Sequence, residues 1–203
     1  MSTGYIYGNR RNSTWKDSGM RTREALKNAT SYGDVQKVKF PQNVEVPEAI
    51  KLFEEKGDAL IQEGSVNRIA NFFKLNTVSS IKQCLMTYGP VLVIVKWYDD
   101  NYVKDGILHI TGNSAKADGQ HCMVCYGWDQ RGWKIQNSWG SHWGASGRTI
   151  LPFNTKFVEV WGIADEDNSK ETNLKIIHPY NSQFGQKFAK GLNKLINLIL
   201  GRK

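Results

Sequence analysis

The chain contains little cysteine, with three in 203 residues at Cys84, Cys122 and Cys125. Three is too few, and odd in number, for the disulfide framework of a small secreted scaffold. Cys122 and Cys125 have the spacing of a redox or zinc motif. However, residues three apart on a predicted strand point to opposite faces, which disfavours a disulfide or a shared metal. We therefore expect neither a metal site nor a disulfide framework.

Long apolar runs are also missing. No stretch approaches the 18 or so uninterrupted apolar residues that a membrane span needs. The opening Met1-Ser-Thr-Gly4 does not resemble a signal peptide. Phosphate-binding loops and metalloprotease helices are absent from the sequence as well, so no cofactor is predicted. We therefore expect no membrane-spanning segment and no signal peptide in this chain. Its cellular compartment cannot be predicted from the sequence.

Positive charge is present but unevenly placed. The net charge is +8, and residues 168–203 contribute seven basic residues against one acidic residue, or +6. The preceding residues carry only +2 and show no basic stripe interleaved with aromatics, which argues against nucleic acid as a partner. In the tail, apolar residues recur every three or four positions from 184 to 199 beside lysines. This pattern predicts a basic amphipathic helix. Such a helix most often packs on its own domain or presents a solvated face, and the alternative is that it binds a membrane surface or a protein partner.

Apolar residues at helical spacing predict four helices in the first half of the chain, at about residues 21–32, 47–57, 65–73 and 79–88. In the third, Ser65 is the expected N-cap, and the shared apolar face would comprise Val66, Ile69, Phe72 and Phe73. The fourth begins near Ser79 or Ser80 and ends at Gly89-Pro90. Its apolar face would comprise Ile81, Cys84, Leu85 and Tyr88.

The character of the sequence changes after Pro90. Val91–Val95 is a short β-branched run typical of a buried strand. Two further strands are predicted at Cys122–Trp128 and Trp133–Asn137, joined by a turn at Asp129–Gly132. Helices followed by strands predict an α+β protein with two lobes. We expect a helical lobe at 1–75, a β-rich lobe at 76–165 and the basic tail at 166–203.

The predicted hairpin brings together residues that carry chemistry. A turn centred near Asp129 places His121 across from Asn137, because neighbouring strands lie about 4.8 Å apart. The Asn137 amide would then reach the imidazole and fix its tautomer. A histidine held by an asparagine is the base half of a Cys-His-Asn nucleophilic site. Trp139, two residues further on, would shield this hydrogen bond from water.

The hairpin also carries a family resemblance. Gly119-Gln-His121, Asn137-Ser-Trp-Gly140 and Trp143-Gly144 resemble the histidine and asparagine blocks of the papain family of cysteine peptidases. Three more stretches are similar to the family. The first is Tyr88-Gly-Pro-Val91 with Tyr98-Asp-Asp100. The other two, which resemble the branch found in bacteria and viruses, are Ser2-Thr-Gly-Tyr-Ile-Tyr7 and Asp17-Ser-Gly19 with Arg23-Glu-Ala-Leu26. The resemblance covers about residues 2 to 165.

The resemblance implies a papain-like two-lobe fold, helical and β-barrel-like, with the site in the cleft between the lobes. It implies catalytic roles for His121 and Asn137, a supporting role for Trp139, and a place for the Gln120 backbone beside the substrate. In that family the nucleophilic cysteine lies about 130 to 150 residues before the histidine, a position that precedes Met1 here. The chain is therefore expected to be N-terminally incomplete, without the nucleophile and the oxyanion-hole glutamine.

The cysteines of the chain are poor substitutes for that nucleophile. Cys122 would face away from its neighbour His121, and Cys125 would lie about 13 Å along the strand. Cys84 falls on the apolar face of a helix and is expected to be a small core residue. Loss of the helix that carries the nucleophile would also remove packing contacts from the helical lobe, and the residues affected would be Tyr5, Tyr7, Leu26 and Phe72. The isolated chain is thus expected to expose an apolar groove and to be marginally stable.

Two functions follow. The first is a papain-like peptidase acting on peptides or proteins, present as a fragment or split chain whose thiol comes from a separate N-terminal chain or segment. Such a chain would be inactive alone. The alternative is a non-catalytic binding or structural module that keeps the fold and uses residues 184–199 to dock on a membrane or partner.

Overall fold

A computed structural model describes residues 2–11, 19–41, 44–112 and 119–164. The α-helices are α1 (Thr3–Gly8), α2 (Thr22–Ser31), α3 (Val46–Lys56), α4 (Ile61–Ser65) and α5 (Val78–Thr87), with a 3-10 turn at Asp58–Leu60. The strands are β1 (Asn71–Lys74), β2 (Val91–Trp97), β3 (Tyr102–Lys104), β4 (Ile107–His109), β5 (Gly119–Asp129), β6 (Gly132–Gln136), β7 (Arg148–Leu151) and β8 (Glu159–Ala164). The α+β class is confirmed. No helix among the described residues is long and apolar enough to cross a membrane.

The described chain forms two compact units, one of residues 2–72 with Ala164 and the other of residues 73–163. The first contains α1 to α4 and the second contains α5 and most of the strands. The division into lobes at 1–75 and 76–165 stays a prediction. The basic tail at 166–203, with its amphipathic pattern at 184–199, lies outside the described residues.

The helical unit is packed around an aromatic centre. The Tyr5 ring of α1 contacts the rings of Phe40 and Phe53, with centroids 5.7 Å and 5.1 Å away. Tyr5, Tyr7 and Leu26 are all buried. The expectation that these three side chains are left short of packing is therefore wrong. Phe72, the fourth residue of that expectation, is half-buried.

Helix α2 confirms the predicted helix at about 21–32, and α3 confirms the one at 47–57, with its proline in the first turn. Helix α5 begins earlier than Ser79, because Thr77 is its N-cap and makes a reciprocal capping box with Ser80. The face of α5 that bears Ile81, Cys84 and Leu85 is buried, as predicted. Tyr88, also predicted for that face, is the C-cap of α5 and is 39% exposed, so its inclusion is wrong.

The helix predicted at 65–73 is wrong. Ser65 ends α4 rather than capping a new helix, and residues 71–74 form strand β1. Val66 is 81% exposed, so the predicted apolar face does not exist. Pairing of β1 with β8 at the edge of the sheet satisfies the backbone of this segment, and that tertiary contact outweighs its local helical pattern.

The strands form one eight-stranded sheet with the order β1-β8-β2-β5-β6-β7-β4-β3. Strand β2 lies between β8 and β5, and six of its seven residues are buried, which explains its nearly continuous apolar sequence. It pairs antiparallel with β5, and Val95 lies opposite His121. The register of this central pair sets where the side chains of the candidate site meet.

Candidate active site

Strands β5 and β6 form the predicted hairpin, with its turn at Asp129–Gly132. The pairing places Trp128 opposite Trp133, and a bulge between Cys125 and Gly127 then shifts the register by one residue. Beyond the bulge, Val124 lies opposite Gln136, so Asn137 follows the end of β6 one position later. Asn137 is therefore a diagonal rather than a direct neighbour of His121.

The side chains of His121 and Asn137 nevertheless meet, as the sequence predicts. The His121 Nε2 lies 2.8 Å from the Asn137 Oδ1, and each residue is only 2% exposed. The same Oδ1 accepts a 2.8 Å hydrogen bond from the backbone N–H of Ser138. Since a backbone N–H needs an acceptor, this second contact establishes which amide atom faces the ring.

This arrangement determines where the imidazole carries its proton. An amide oxygen can only accept, so the His121 Nε2 carries a hydrogen and donates it to Asn137. In the neutral ring the lone pair then belongs to Nδ1, and proton uptake occurs at that atom. The pair can therefore act as a general base and, after protonation, as a general acid at Nδ1.

A tight loop after β6 holds Asn137 in place. The Asn137 backbone N–H donates to the Gly147 carbonyl at 2.8 Å, and the Gln136 side chain donates to the same carbonyl at 2.9 Å. Gly147 has a φ of +81°, and a Cβ there would lie 2.9 Å from the Gln136 Nε2. Gly144 has a φ of +55°, and a Cβ there would lie 2.5 Å from the Arg148 carbonyl oxygen. Glycine at both positions allows the loop to close against the start of β7.

Two indole rings contact the imidazole, and a third packs on one of them. The Trp139 ring lies 4.5 Å from the His121 ring at an interplanar angle of 31°, and the Trp97 ring lies 4.8 Å away at 67°. Trp97 and Trp139 contact each other at 4.8 Å, and Trp143 packs on Trp139 at 5.6 Å. The hydrogen bond between His121 and Asn137 thus lies in an aromatic, low-polarity environment that strengthens it.

The three cysteines are all buried as free thiols. Burial raises the pKa of the Cys84 thiol to about 11 and that of Cys125 to about 12. Burial, helped by the negative charge of Glu159, also raises the pKa of the Cys122 thiol. Cys125 lies on the face of β5 that bears His121, four residues along the strand, and its thiol faces the Gly127 carbonyl at 3.4 Å. Raised pKa values oppose formation of the thiolate that nucleophilic catalysis needs.

Other candidate groups lie apart from the pair. Gln120 is exposed and lies opposite Lys96 in the pairing of β2 with β5; its predicted position beside a substrate stays a prediction. His109 stacks on Tyr102 at 4.8 Å and is separate in sequence and contacts from the His121 pair. In the described part of the chain, no group of three or more histidine, cysteine or acidic residues is arranged to hold a metal ion.

The structure thus brings His121, Asn137 and Trp139 together, while their catalytic and shielding roles stay predictions. Sequence reasoning missed Trp97 and the Ser138 N–H. The alternation of β2 places Trp97 on the face that bears Val93 and Val95, but only the pairing of β2 with β5 places it beside His121.

The chain resembles known proteins both in sequence and in fold. The model of the family described as "papain family cysteine protease" matches residues 15–168. An uncharacterized peptidase C1-like protein of Acanthamoeba polyphaga mimivirus is 27% identical over 178 residues, which cover 80% of this chain and 56% of that protein. Cathepsin O of Homo sapiens is 33% identical over 94 residues, or 43% of this chain and 27% of cathepsin O. The chain therefore spans only part of the length of these relatives.

Solved structures resemble the fold at low sequence identity. Xylellain, a cysteine protease from Xylella fastidiosa, has a TM-score of 0.65 and 20% identity, covering 81% of this chain and 69% of xylellain. A cysteine protease of Carica candamarcensis has a TM-score of 0.57 and 14% identity, covering 81% of this chain and 76% of that protein. The predicted papain-like fold is confirmed by these neighbours.

Proposed function

We propose, from the premise that this chain belongs to the papain family of cysteine proteases, that it supplies the histidine and asparagine of a Cys-His-Asn peptidase site. The observation that carries this function is the buried 2.8 Å contact between the His121 Nε2 and the Asn137 Oδ1. Papain-like peptidases act on peptide or protein substrates, and we assign the same substrate class to the completed site.

In this mechanism the His121 Nδ1 takes the proton from a cysteine thiol, and the thiolate attacks the carbonyl carbon of the scissile peptide bond. The C–N bond then breaks as the imidazolium returns that proton to the leaving amine, which leaves a thioester. His121 next takes a proton from water, whose oxygen attacks the thioester, and returns the proton to the departing thiolate. Throughout, the Nε2–H of His121 continues to donate its hydrogen bond to the Asn137 Oδ1.

The thiol in this proposal comes from outside the 203 residues, as a preceding segment or a separate chain. Three observations support this assignment: Cys84, Cys122 and Cys125 are buried, their pKa values are raised, and Cys125 lies four strand residues from His121. Four residues along a strand correspond to about 13 Å, which is beyond the reach of direct proton transfer. Alone, the chain is then expected to be inactive.

The test begins with the gene sequence upstream of the Met1 codon. An in-frame segment containing Gln and then Cys-Gly-x-Cys-Trp is expressed either joined to this chain or as a separate polypeptide mixed with it. Hydrolysis of fluorogenic peptides is expected only when that segment is present. His121→Ala should lower kcat/KM by about 10²- to 10⁴-fold, the usual contribution of a general base. Asn137→Ala should lower it by about tenfold, which corresponds to loss of one strong hydrogen bond.

His109→Ala is the matched control, because that histidine stacks on Tyr102 away from the pair, and it should leave kcat/KM unchanged. Two results would overturn the proposal. One is full activity of His121→Ala. The other is peptide cleavage by the 203-residue chain alone, with a thiol reagent attached stoichiometrically to Cys84 or Cys125.

A second function, a non-catalytic module, is favoured by the same three buried thiols, because a chain without an accessible thiolate can keep the fold for binding alone. In that case residues 184–199 would dock on an anionic membrane or a protein partner. Absence of a nucleophile segment upstream of Met1 would support this module. Co-sedimentation with anionic liposomes, with and without residues 168–203, tests the membrane role, and equal binding by both forms would remove it.

A further inference from the structure

Trp97 is the residue of this site that no sequence motif indicates. It ends β2 and is 6% exposed. Val95 lies opposite His121 in the pairing of β2 with β5, so Trp97, two positions further on, is a diagonal neighbour of His121 on the same face. Its ring contacts both the imidazole and the Trp139 ring, each at a centroid distance of 4.8 Å.

One hydrogen bond does not orient an imidazole completely. The torsion between the Cβ and the ring of a histidine is broad, so the ring can tilt or flip unless packing prevents it. Trp139 is tilted by only 31° from the imidazole plane and covers one face, whereas Trp97 meets that plane at 67°. Two neighbours in different planes restrict two different motions, tilting out of the plane and rotation within the pocket.

We infer that Trp97 is a positioning residue which, together with Trp139, confines the His121 ring to the orientation in which Nε2 donates to Asn137. The inference rests on the proposed function for its purpose, since a general base needs a single tautomer and a single direction for Nδ1. Its effect on the ring, however, is a property of this chain and needs neither a thiol nor a substrate. Trp97 acts through His121 and not on the reacting atoms.

Ordinary core packing is the competing explanation for Trp97, and Trp133 provides a matched control for it. Trp133 is 1% exposed and belongs to the same apolar core cluster. Its ring contacts are with Phe153 and Phe157 rather than with His121. Replacing either tryptophan by leucine removes an indole from the core, but only the change at position 97 removes a ring that contacts the imidazole.

The experiment measures the His121 imidazole by ¹⁵N NMR in the 203-residue chain and in Trp97→Leu, Trp97→Phe and Trp133→Leu. The ring nitrogen shifts report the tautomer, and the exchange of the Nε2 proton with solvent reports how often the ring opens. In Trp97→Leu we expect exchange to be about two- to tenfold faster, the factor that loss of one aromatic pair contact corresponds to. The imidazole should become a mixture of the Nε2–H and Nδ1–H tautomers. In Trp97→Phe, which keeps an aromatic ring, the tautomer and the exchange rate should both match those of the parent chain.

Trp133→Leu should lower the urea midpoint of unfolding but leave the His121 tautomer and exchange unchanged. Equal exchange rates in the two leucine variants, or an unchanged tautomer in Trp97→Leu, would overturn the inference. If Trp97→Leu does not fold, Trp97→Met takes its place with the same expected result. If the activity assay refuted the peptidase proposal, the expected NMR difference between Trp97→Leu and Trp133→Leu would still hold. The failure of one proposal can therefore be told apart from the failure of the other.

Discussion

The hairpin that positions the candidate site should be especially sensitive at Gly132, the first residue of β6. Gly132 has a φ of +149°, and a Cβ there would lie 2.1 Å from the Leu151 carbonyl oxygen of β7. Real Cβ contacts essentially never fall below 3.0 Å, so Gly132→Ala forces β6 and β7 apart by at least 3.0 − 2.1 = 0.9 Å. The obstruction is backbone, which cannot rotate out of the way.

Two costs combine in this variant. The unfavourable φ costs about 1–3 kcal/mol, and the forced overlap in a packed region costs about 1–3 kcal/mol more. We therefore expect the free energy of unfolding to fall by about 2–6 kcal/mol, a large part of the 5–15 kcal/mol typical of a domain. With a urea m-value of about 2–3 kcal/mol per M, the midpoint of unfolding should fall by about 0.7–3 M.

Gly127→Ala is the control in the same hairpin. Gly127 lies beside the β-bulge, and the nearest atom to an added Cβ is the Lys134 Cδ at 3.9 Å, an ordinary contact. This variant should change the free energy of unfolding by no more than about 0.5 kcal/mol. The measurement is urea unfolding followed by circular dichroism. A Gly132→Ala variant as stable as the parent chain, or equal destabilisation by both changes, would refute the steric argument.

Two further predictions concern buried groups. Because burial raises the pKa of the Cys84 and Cys125 thiols to about 11 and 12 from 9.0, the unfolded chain loses these protons first. Stability is then fully present below about pH 9 and falls as the pH rises toward the folded values. Cys125→Ala should reduce the slope of unfolding free energy against pH by about 1.4 kcal/mol per pH unit between pH 10 and 11, and an unchanged slope in urea titrations would contradict this. Trp139→Leu should uncover the His121 imidazole, so that diethylpyrocarbonate modifies it at a rate approaching that of the exposed His109, as measured by mass spectrometry. Equal protection of His121 with and without the indole would show that Trp139 does not shield it.

The hairpin could be predicted because its signals are local. Alternating apolar residues flank a turn-prone stretch at Asp129–Gly132, and the spacing about that turn brings His121 near Asn137. The detailed register could not be predicted in the same way. It depends on a bulge between Cys125 and Gly127, and on Asn137 following the last residue of β6, which together make the contact diagonal.

Pairing between strands that are distant in sequence determines two features that the sequence did not reveal, namely strand β1 and the place of Trp97 in the site. The apolar pair in Asn71–Lys74 fits a helix or a strand equally well, and its pairing with β8 selects the strand. Trp97 becomes part of the site only through the register between β2 and β5. Because no local pattern specifies the register of strands distant in sequence, such neighbours emerge only from the folded sheet.

The partner of His121 is a neutral amide, and this has a consequence for the movement of charge. Asn137 Oδ1 receives the Nε2–H and the Ser138 N–H in either protonation state of the ring. A carboxylate in its place would create a buried ion pair whenever the ring is protonated, and an isolated buried anion whenever it is not. With the amide, the proton can enter and leave at Nδ1 while the dipoles behind the ring stay where they are. The site can therefore change its charge with little structural reorganisation, which is the condition under which fixed dipoles are most effective.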